Sequence, residues 1–185
     1  AICIGGNVSV VKKGDTVNSY TATGRTNVIS SEHSESIEDM VNRVIAVDKK
    51  GNIWFATNNG VNRWNRKRNV WQHYYQDKEK QSSVFMALCQ DHEGHIWAGS
   101  YSSGIHVFDP ISNREITPFF SSDKNADLID KYVLTLFKDS EGDIWVGSAR
   151  KDVVCCSTRD RRLKTYRLPI VSAFAELSPG KILAA

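Results

Sequence analysis

An all-β fold, a segment of a β-propeller with about four four-stranded antiparallel blades, is what the sequence predicts, and three observations predict it. The phrase Asp-x-x-Gly-x-Ile-Trp, closed three residues later by a hydroxyl, occurs at residues 48–57, 91–100 and 139–148. Its Trp residues, Trp54, Trp97 and Trp145, are 43 and 48 residues apart, a period that belongs to propellers and solenoids. Each copy follows an apolar run and precedes β-branched and aromatic runs punctuated by Gly, Asn and Asp. No unit carries the i, i+3, i+4 spacing of a helical repeat.

Composition sets the limits. A chain of 185 residues with 41% hydrophobic and 24% charged residues holds one sizeable core or a short array, which excludes disorder. A net charge of +3, spread along the chain, is too mild to argue for nucleic acid. No apolar run approaches the ~20 residues that cross a bilayer, and the amino end lacks the basic region and cleavage pattern of a signal peptide. This segment is therefore not expected to touch a membrane. It begins in mid-pattern, as a piece of a longer protein would. Of the four cysteines, Cys89 and Cys155 sit in apolar strands, and Cys155 and Cys156 are adjacent, so their side chains point to opposite faces. Free, partly buried thiols are expected, without metal-ligand spacing and with no bearing on the redox compartment.

In chain order, residues 1–40 form part of a blade and a loop. Val8 to Val11, a Lys12-Lys13-Gly14-Asp15 turn and Thr16 to Thr21 read as a hairpin, and residues 24–39 as a polar connection. The first full blade occupies 41–80. Val44 to Val47 is a continuous apolar run, expected to be buried on both faces, and it stops at Asp48. Gly51 supplies the positive φ of a tight turn. Asn52 to Thr57, Val61 to Trp64 and Val70 to Tyr75 complete four strands. The second blade, 84–120, repeats this with Phe85 to Cys89, Ile96 to Gly99, Ile105 to Phe108 and Arg114 to Thr117. The third, 132–168, gives Tyr132 to Phe137, Ile144 to Gly147, Val153 to Cys156 and Leu163 to Tyr166. Asp152 stands where the other blades have Gly60 and Gly104, so that loop must differ in shape or strain. Residues 170–185 are a weak fourth copy with Leu177 for the Asp and Leu183 for the Trp.

Such units bury both faces only by stacking around an axis, which leaves short, protected edges. Ala56, Gly99 and Gly147 suit close packing near that axis. Each Trp can bury ~150–250 Å² between blades and is expected to be a main anchor.

The repeat Asp-x-x-Gly-x-Ile-Trp-x-Gly-Ser/Thr, with its preceding apolar strand and following Gly-Val/Ile-x-x-Trp/Phe, resembles the regulator-propeller repeat of bacterial hybrid two-component sensors, best represented in Bacteroides-type organisms. The resemblance covers residues 41–168 clearly and the ends weakly. It implies a periplasmic sensor region of seven-bladed propellers, followed by a further β domain, a membrane helix and a histidine kinase, none of them in this chain. It also implies an oligosaccharide ligand, no cofactor, and a role in transcription regulation.

Asp48, Asp91 and Asp139, with Gly51, Gly94 and Gly142, are read as structural: an Asp accepts backbone N–H bonds within its own turn, and recurrence in every blade argues against a single active site. His92 and His95 have an H-x-x-H spacing without a third ligand, so no metal site is expected. The basic runs Arg63 to Arg68 and Arg159 to Arg167 are read as solvated turns. Variation on a repeating framework falls in the loops between second and third strands. There Asn58 and Asn59 could bond sugar hydroxyls, Tyr101 could stack on a ring beside Ser102, and Arg150 or Lys151 could meet a carboxylate or sulfate. The expected function is non-enzymatic ligand recognition. A streptogramin lyase-like enzyme would need a convergent His/Glu/metal set that the sequence lacks, and a protein-interaction scaffold is the third reading. An open set of blades exposes strand edges and invites a homodimer.

Overall fold

The computed structural model describes residues 8–10, 18–20, 42–74, 84–121 and 123–185. The expected loop over 24–39, Cys3 and Tyr75 lie outside the described residues. Among these residues the chain is a β-propeller segment of three four-stranded antiparallel sheets and two two-stranded ones. The first pairs β1 (Val8–Val10) with β2 (Asn18–Tyr20). Blade 1 comprises β3 (Asn42–Val47), β4 (Ile53–Thr57), β5 (Gly60–Asn65) and β6 (Val70–Tyr74). Blade 2 comprises β7 (Phe85–Gln90), β8 (Ile96–Ser100), β9 (Ile105–Asp109) and β10 (Arg114–Ile116). Blade 3 comprises β11 (Val133–Lys138), β12 (Ile144–Ser148), β13 (Asp152–Ser157) and β14 (Arg162–Pro169). A half-blade pairs β15 (Phe174–Ser178) with β16 (Lys181–Ala184). A 3₁₀ turn at Asp123–Leu128 lies in the connection between blades 2 and 3, which holds most of the residues that lengthen this repeat.

Alternation along each second strand fills both of its faces. In β8, Ile96 and Ala98 join the core shared with blade 1, alongside Trp54, Ala56 and Val61. Trp97 faces the other way, into the core shared with blade 3, with Val133, Leu136, Ile144, Val146 and Cys156. Each Trp thus points at the next blade in the chain: Trp54 packs on Phe108, Trp97 joins the blade 3 core, and Trp145 meets Phe174. The anchors are unequal. Trp54 and Trp97 are 0% and 2% exposed, whereas Trp145 is only partly buried, because two strands cover it where four cover the others.

First strands lie side by side, β7 between β3 and β11. Each carries a bulge in the same place, between Asn42 and Val44, Phe85 and Ala87, and Val133 and Thr135. The partner of the residue after each bulge is Ala56, Gly99 or Gly147. Space explains these small residues: a Cβ on Gly99 would lie 2.5 Å from Val133 Cγ1, and one on Gly147 2.4 Å from the Val171 carbonyl oxygen. One expectation fails here. Val44 to Ala46 are only partly buried and Val47, which ends β3 beside the turn, is 59% exposed.

The Asp-x-x-Gly turn is built as expected and does more. Asp48 Oδ1 accepts the N–H groups of Lys50 and Asn52 at 2.9 Å, and Gly51 takes φ 80° to close the turn. Asp91 Oδ1 accepts from Gly94 and His95 at 2.8 Å, and Asp139 Oδ1 from Asp143 at 2.9 Å. In all three, the second oxygen accepts the indole N–H of the Trp six residues on, at 2.9, 3.0 and 2.7 Å. The carboxylates are 2–7% exposed. Desolvating a carboxylate costs several kcal/mol, and charge-assisted hydrogen bonds at ~1.5–3 kcal/mol each offset it. The residue after each Asp reaches the next blade: Lys49 Nζ donates to the His92 carbonyl, the His92 ring bonds Thr158 Oγ1, and Ser140 bonds Glu176. In the half-blade, where leucines replace Asp and Trp, Leu177 and Leu183 are 58% and 52% exposed.

Two outcomes follow for stability. Gly147→Ala should cost ~2–3 kcal/mol or more by forcing backbone apart, whereas Gly51→Ala, with nothing within 4 Å of the new Cβ, should cost only the ~1–2 kcal/mol of a left-handed alanine. Urea denaturation of both variants checks the order, and equal costs would contradict the close approach at Gly147. The second concerns pH. Burial pushes the Asp48 carboxyl up, but bonds from Trp54, Asn52 and Lys50 together outweigh it and hold the group below its ordinary 3.8. Its contribution is therefore complete above that value and lost as pH falls through the lower folded value. Asp48→Asn should make the decline of stability below pH ~4 shallower; an unchanged acid limb would contradict the assignment.

Candidate functional site

The four-stranded meander puts the loops between second and third strands at one end of each blade, together with the connection into each first strand. At the other end are the Asp-x-x-Gly turns and the turns between third and fourth strands. The closing hydroxyl of each repeat organises the first set. Thr57 Oγ1 donates to the Gly60 carbonyl at 2.9 Å and accepts the Asn59 N–H at 3.0 Å. Ser100 Oγ accepts the N–H groups of Ser102 and Ser103 at 3.2 Å. Ser148 Oγ donates to the Lys151 carbonyl at 2.9 Å. Gly60 and Gly104 have φ of 92° and 84°, and Asp152 has no positive φ, so the third loop differs in shape rather than in strain. The change is taken up by a register shift between Asp152 and Val153.

The loops of blades 2 and 3 meet across the lead-in to β11. Tyr101 stands edge-on to Tyr132 at 5.6 Å between ring centroids, and the Arg150 guanidinium lies over the Tyr132 ring at 3.9 Å. Asp130, 5% exposed, fixes both sides: its carboxylate accepts the Tyr132 N–H at 3.2 Å and the Arg150 N–H at 2.7 Å. The Lys151 ammonium donates to the Asp127 carbonyl, and the Gly104 N–H to the Lys131 carbonyl. Tyr101 remains 47% exposed, and Arg150 and Lys151 are exposed beside it. The structure thus assembles Tyr101, Arg150 and Lys151 around Tyr132. Ser102 serves its own loop through its N–H, and Asn59, in blade 1, does the same. Tyr132 and Asp130 are the members the sequence reading missed; their signal is their place immediately before the first strand of blade 3.

Two other constellations bear on chemistry. Ser103 Oγ is 2.7 Å from His106 Nε2, and His106 Nδ1 is 2.8 Å from Glu115 Oε1. This has the order of a nucleophilic triad, but hydrolysis also needs free donors aimed at an oxyanion. The N–H groups of Ser102, Ser103 and Gly104 all donate within the fold. The network therefore reads as a brace for the loop. On the turn side, His95 Nδ1 sits 3.2 Å from Asp91 Oδ2 and 3.3 Å from Glu93 Oε2, and these three residues could converge on a cation. Asp91 Oδ2 already accepts the Trp97 indole, and His92 turns away to Thr158, so the arrangement is that of an imidazole between two carboxylates. The thiols are poor nucleophiles: burial pushes Cys155 up to about 12 and raises Cys89 and Cys156 above the usual thiol range as well.

Among the described residues, no helix is long and apolar enough to cross a membrane. No curated protein matches the chain. The extracellular domain assigned to the hybrid two component system BT3049 of B. thetaiotaomicron has a similar fold, with a TM-score of 0.67 at 20% identity over 91% of this chain. Two structures of the extracellular domain of BT4673 from the same organism, at 14% identity over 91% of this chain, give TM-scores of 0.45 and 0.47. The chain spans 23% of the length of the BT3049 domain and 31% of the BT4673 domains. The family model described as two component regulator propeller matches residues 36–59, 78–102 and 127–150, each time the lead-in and the first two strands of a four-stranded blade. The three matched stretches thus fall one in each of the three four-stranded blades among the described residues, and in them the chain is similar to the two component regulator propeller repeat.

Proposed function

We propose that this segment belongs to the extracytoplasmic sensor region of a two-component receptor and recognises an oligosaccharide on its loop face, without catalysis. The observation that carries the reading is the cluster of Tyr101, Tyr132 and Arg150, an exposed aromatic and a guanidinium laid over the Tyr132 ring, with the backbone N–H groups of Tyr132 and Arg150 fixed by a buried Asp130. Aromatic faces cover the apolar side of a sugar ring, and a guanidinium offers paired donors to hydroxyls or a carboxylate. The regulator-propeller repeats support the sensor role and the periplasmic setting. Recognition would transmit by favouring one conformational or dimeric state over another, to the extent that the ligand binds the two differently. A homodimer through the uncovered half-blade is the proposed protein partner.

A thermal-shift panel of oligosaccharides tests this. At least one member should raise the melting temperature, and by mass action ~100 Kd of ligand adds ~2.7 kcal/mol of stability. Tyr101→Ala/Arg150→Ala should lose the shift while keeping the unliganded melting temperature, and the saccharide should be recovered intact. No shift across the panel, or cleavage of the saccharide, would contradict the proposal.

A further inference from the structure

The turns between third and fourth strands lie at the end of the blades opposite the loop face, and all three are built alike. They join the paired residues Asn65 and Val70, Asp109 and Arg114, and Ser157 and Arg162, and the residue before the fourth strand, Asn69, Asn113 or Arg161, takes a positive φ of 53°, 58° or 55°. Two of them are capped by their first residue. Asn65 Oδ1 accepts the Arg68 N–H at 3.1 Å, and the Asp109 carboxylate accepts those of Ile111 and Ser112 at 2.7 and 3.1 Å. The tip residues play no part in that frame, and they differ: Arg66-Lys67 in blade 1, Pro110-Ile111 in blade 2 and Thr158-Arg159 in blade 3. Ile111 therefore takes the place of a cation at a position the turn does not specify, and it stands 75% exposed.

Ile111 borders an open cleft of about 620 Å³ between blades 1 and 2, together with Pro110 and with Val70, which is 49% exposed. Lys49, Lys50, Lys67 and Arg68 line the same cleft from exposed positions, and no carboxylate is among the described residues that line it. The cleft is two-sided: its cations all belong to blade 1, and its apolar tip belongs to blade 2. Arg63, which also lines it, departs from the sequence reading of its run as solvated, being 5% exposed on the face of β5 that carries Val61. Its guanidinium is paired with Asp48 at 4.0 Å, with Gln72 at 3.0 Å and with Asn113, so it ties blade 1 to the turn of blade 2 and belongs to the frame. Val70 and Gln72 come from β6, the last strand of its sheet, and among the described residues no strand pairs with its far edge.

A single exposed isoleucine needs no explanation, but an apolar tip facing four cations across a cleft, beside an open strand edge, does. We propose that this cleft docks an extended acidic segment of a partner polypeptide. Alternate side chains of an extended segment point to opposite sides, so carboxylates at every second residue meet the blade 1 cations while the apolar side chains between them lie against Ile111. The edge of β6 offers the segment main-chain pairing, and the two walls read its side chains. An anionic chain without apolar groups would use the cations and leave Ile111 idle. Like charges around one cleft raise the local concentration of such a segment, an effect that salt weakens beyond ~8 Å at physiological strength. The surface lies at the other end of the blades from the loop face, and neither proposal depends on the other.

Fluorescence anisotropy of a labelled octapeptide of alternating glutamate and leucine, titrated with the whole chain, tests it. The peptide should bind, with affinity falling as salt rises, and the same peptide with lysine for glutamate should not. Serine in place of leucine should weaken binding about fivefold or more, and so should Ile111→Ser, with the melting temperature kept because the side chain is 75% exposed. Lys67→Ala/Arg68→Ala should weaken it about tenfold or more, the worth of one or two charge-assisted bonds. Arg159→Ala/Arg162→Ala, which removes the same charge from blade 3, should change affinity less than about twofold, and Tyr101→Ala/Arg150→Ala should leave it unchanged. No binding of the glutamate–leucine peptide, full affinity in Ile111→Ser, or an equal loss in the blade 3 variant would overturn the proposal. So would equal affinity for the glutamate–serine peptide, or for a sulfated oligosaccharide or short oligonucleotide of matched charge, since charge alone would then account for binding.

Discussion

The structure depends on one buried carboxylate per blade that holds two things at once. In Asp91, one oxygen collects the N–H groups of the turn and the other collects the indole N–H of Trp97. The turn fixes where β8 begins, and the Trp fixes which way β8 presents its large side chain. Because Trp97 also fills the core against blade 3, the same carboxylate links local hairpin geometry to the packing of one blade on the next. Repeating that link every 43 to 48 residues is enough to stack blades without any long-range sequence signal.

In the half-blade, Leu177 and Leu183 stand where the other blades have Asp and Trp, and both side chains are exposed. Its connection to blade 3 comes instead from Glu176, which accepts from Ser140, and from Phe174 against Trp145. A frame fixed in three blades leaves the connecting segments free to vary. That is why Tyr101, Tyr132 and Arg150 differ from their counterparts in the other blades without disturbing them.

Much of this was legible in the sequence. The turn role of Asp48, Asp91 and Asp139 follows from Asp-x-x-Gly, and the closeness at Gly99 and Gly147 follows from their position after the Trp. The carboxylate–indole bond was missed, since it requires placing residue i+6 back across the turn onto the Asp. Val47 was misjudged because an apolar run carries no information about where cover ends. Arg63 reads as one basic run with Arg66, Lys67 and Arg68, although period-two alternation sets it on the face of Val61. Tyr132 and Asp130 carry no motif, and only the meeting of two loops in space gives them a role.

The central claim is that Asp and Trp act as a unit, and a double-mutant cycle on Asp91→Ala and Trp97→Phe measures it most directly, since the Phe keeps an aromatic ring and removes the indole N–H. Urea unfolding of the wild type, both single variants and the double variant should give a coupling energy of about 1–3 kcal/mol. Effects that add to within ~0.5 kcal/mol would mean that the carboxylate serves the turn and the Trp serves the core independently, and would contradict the account.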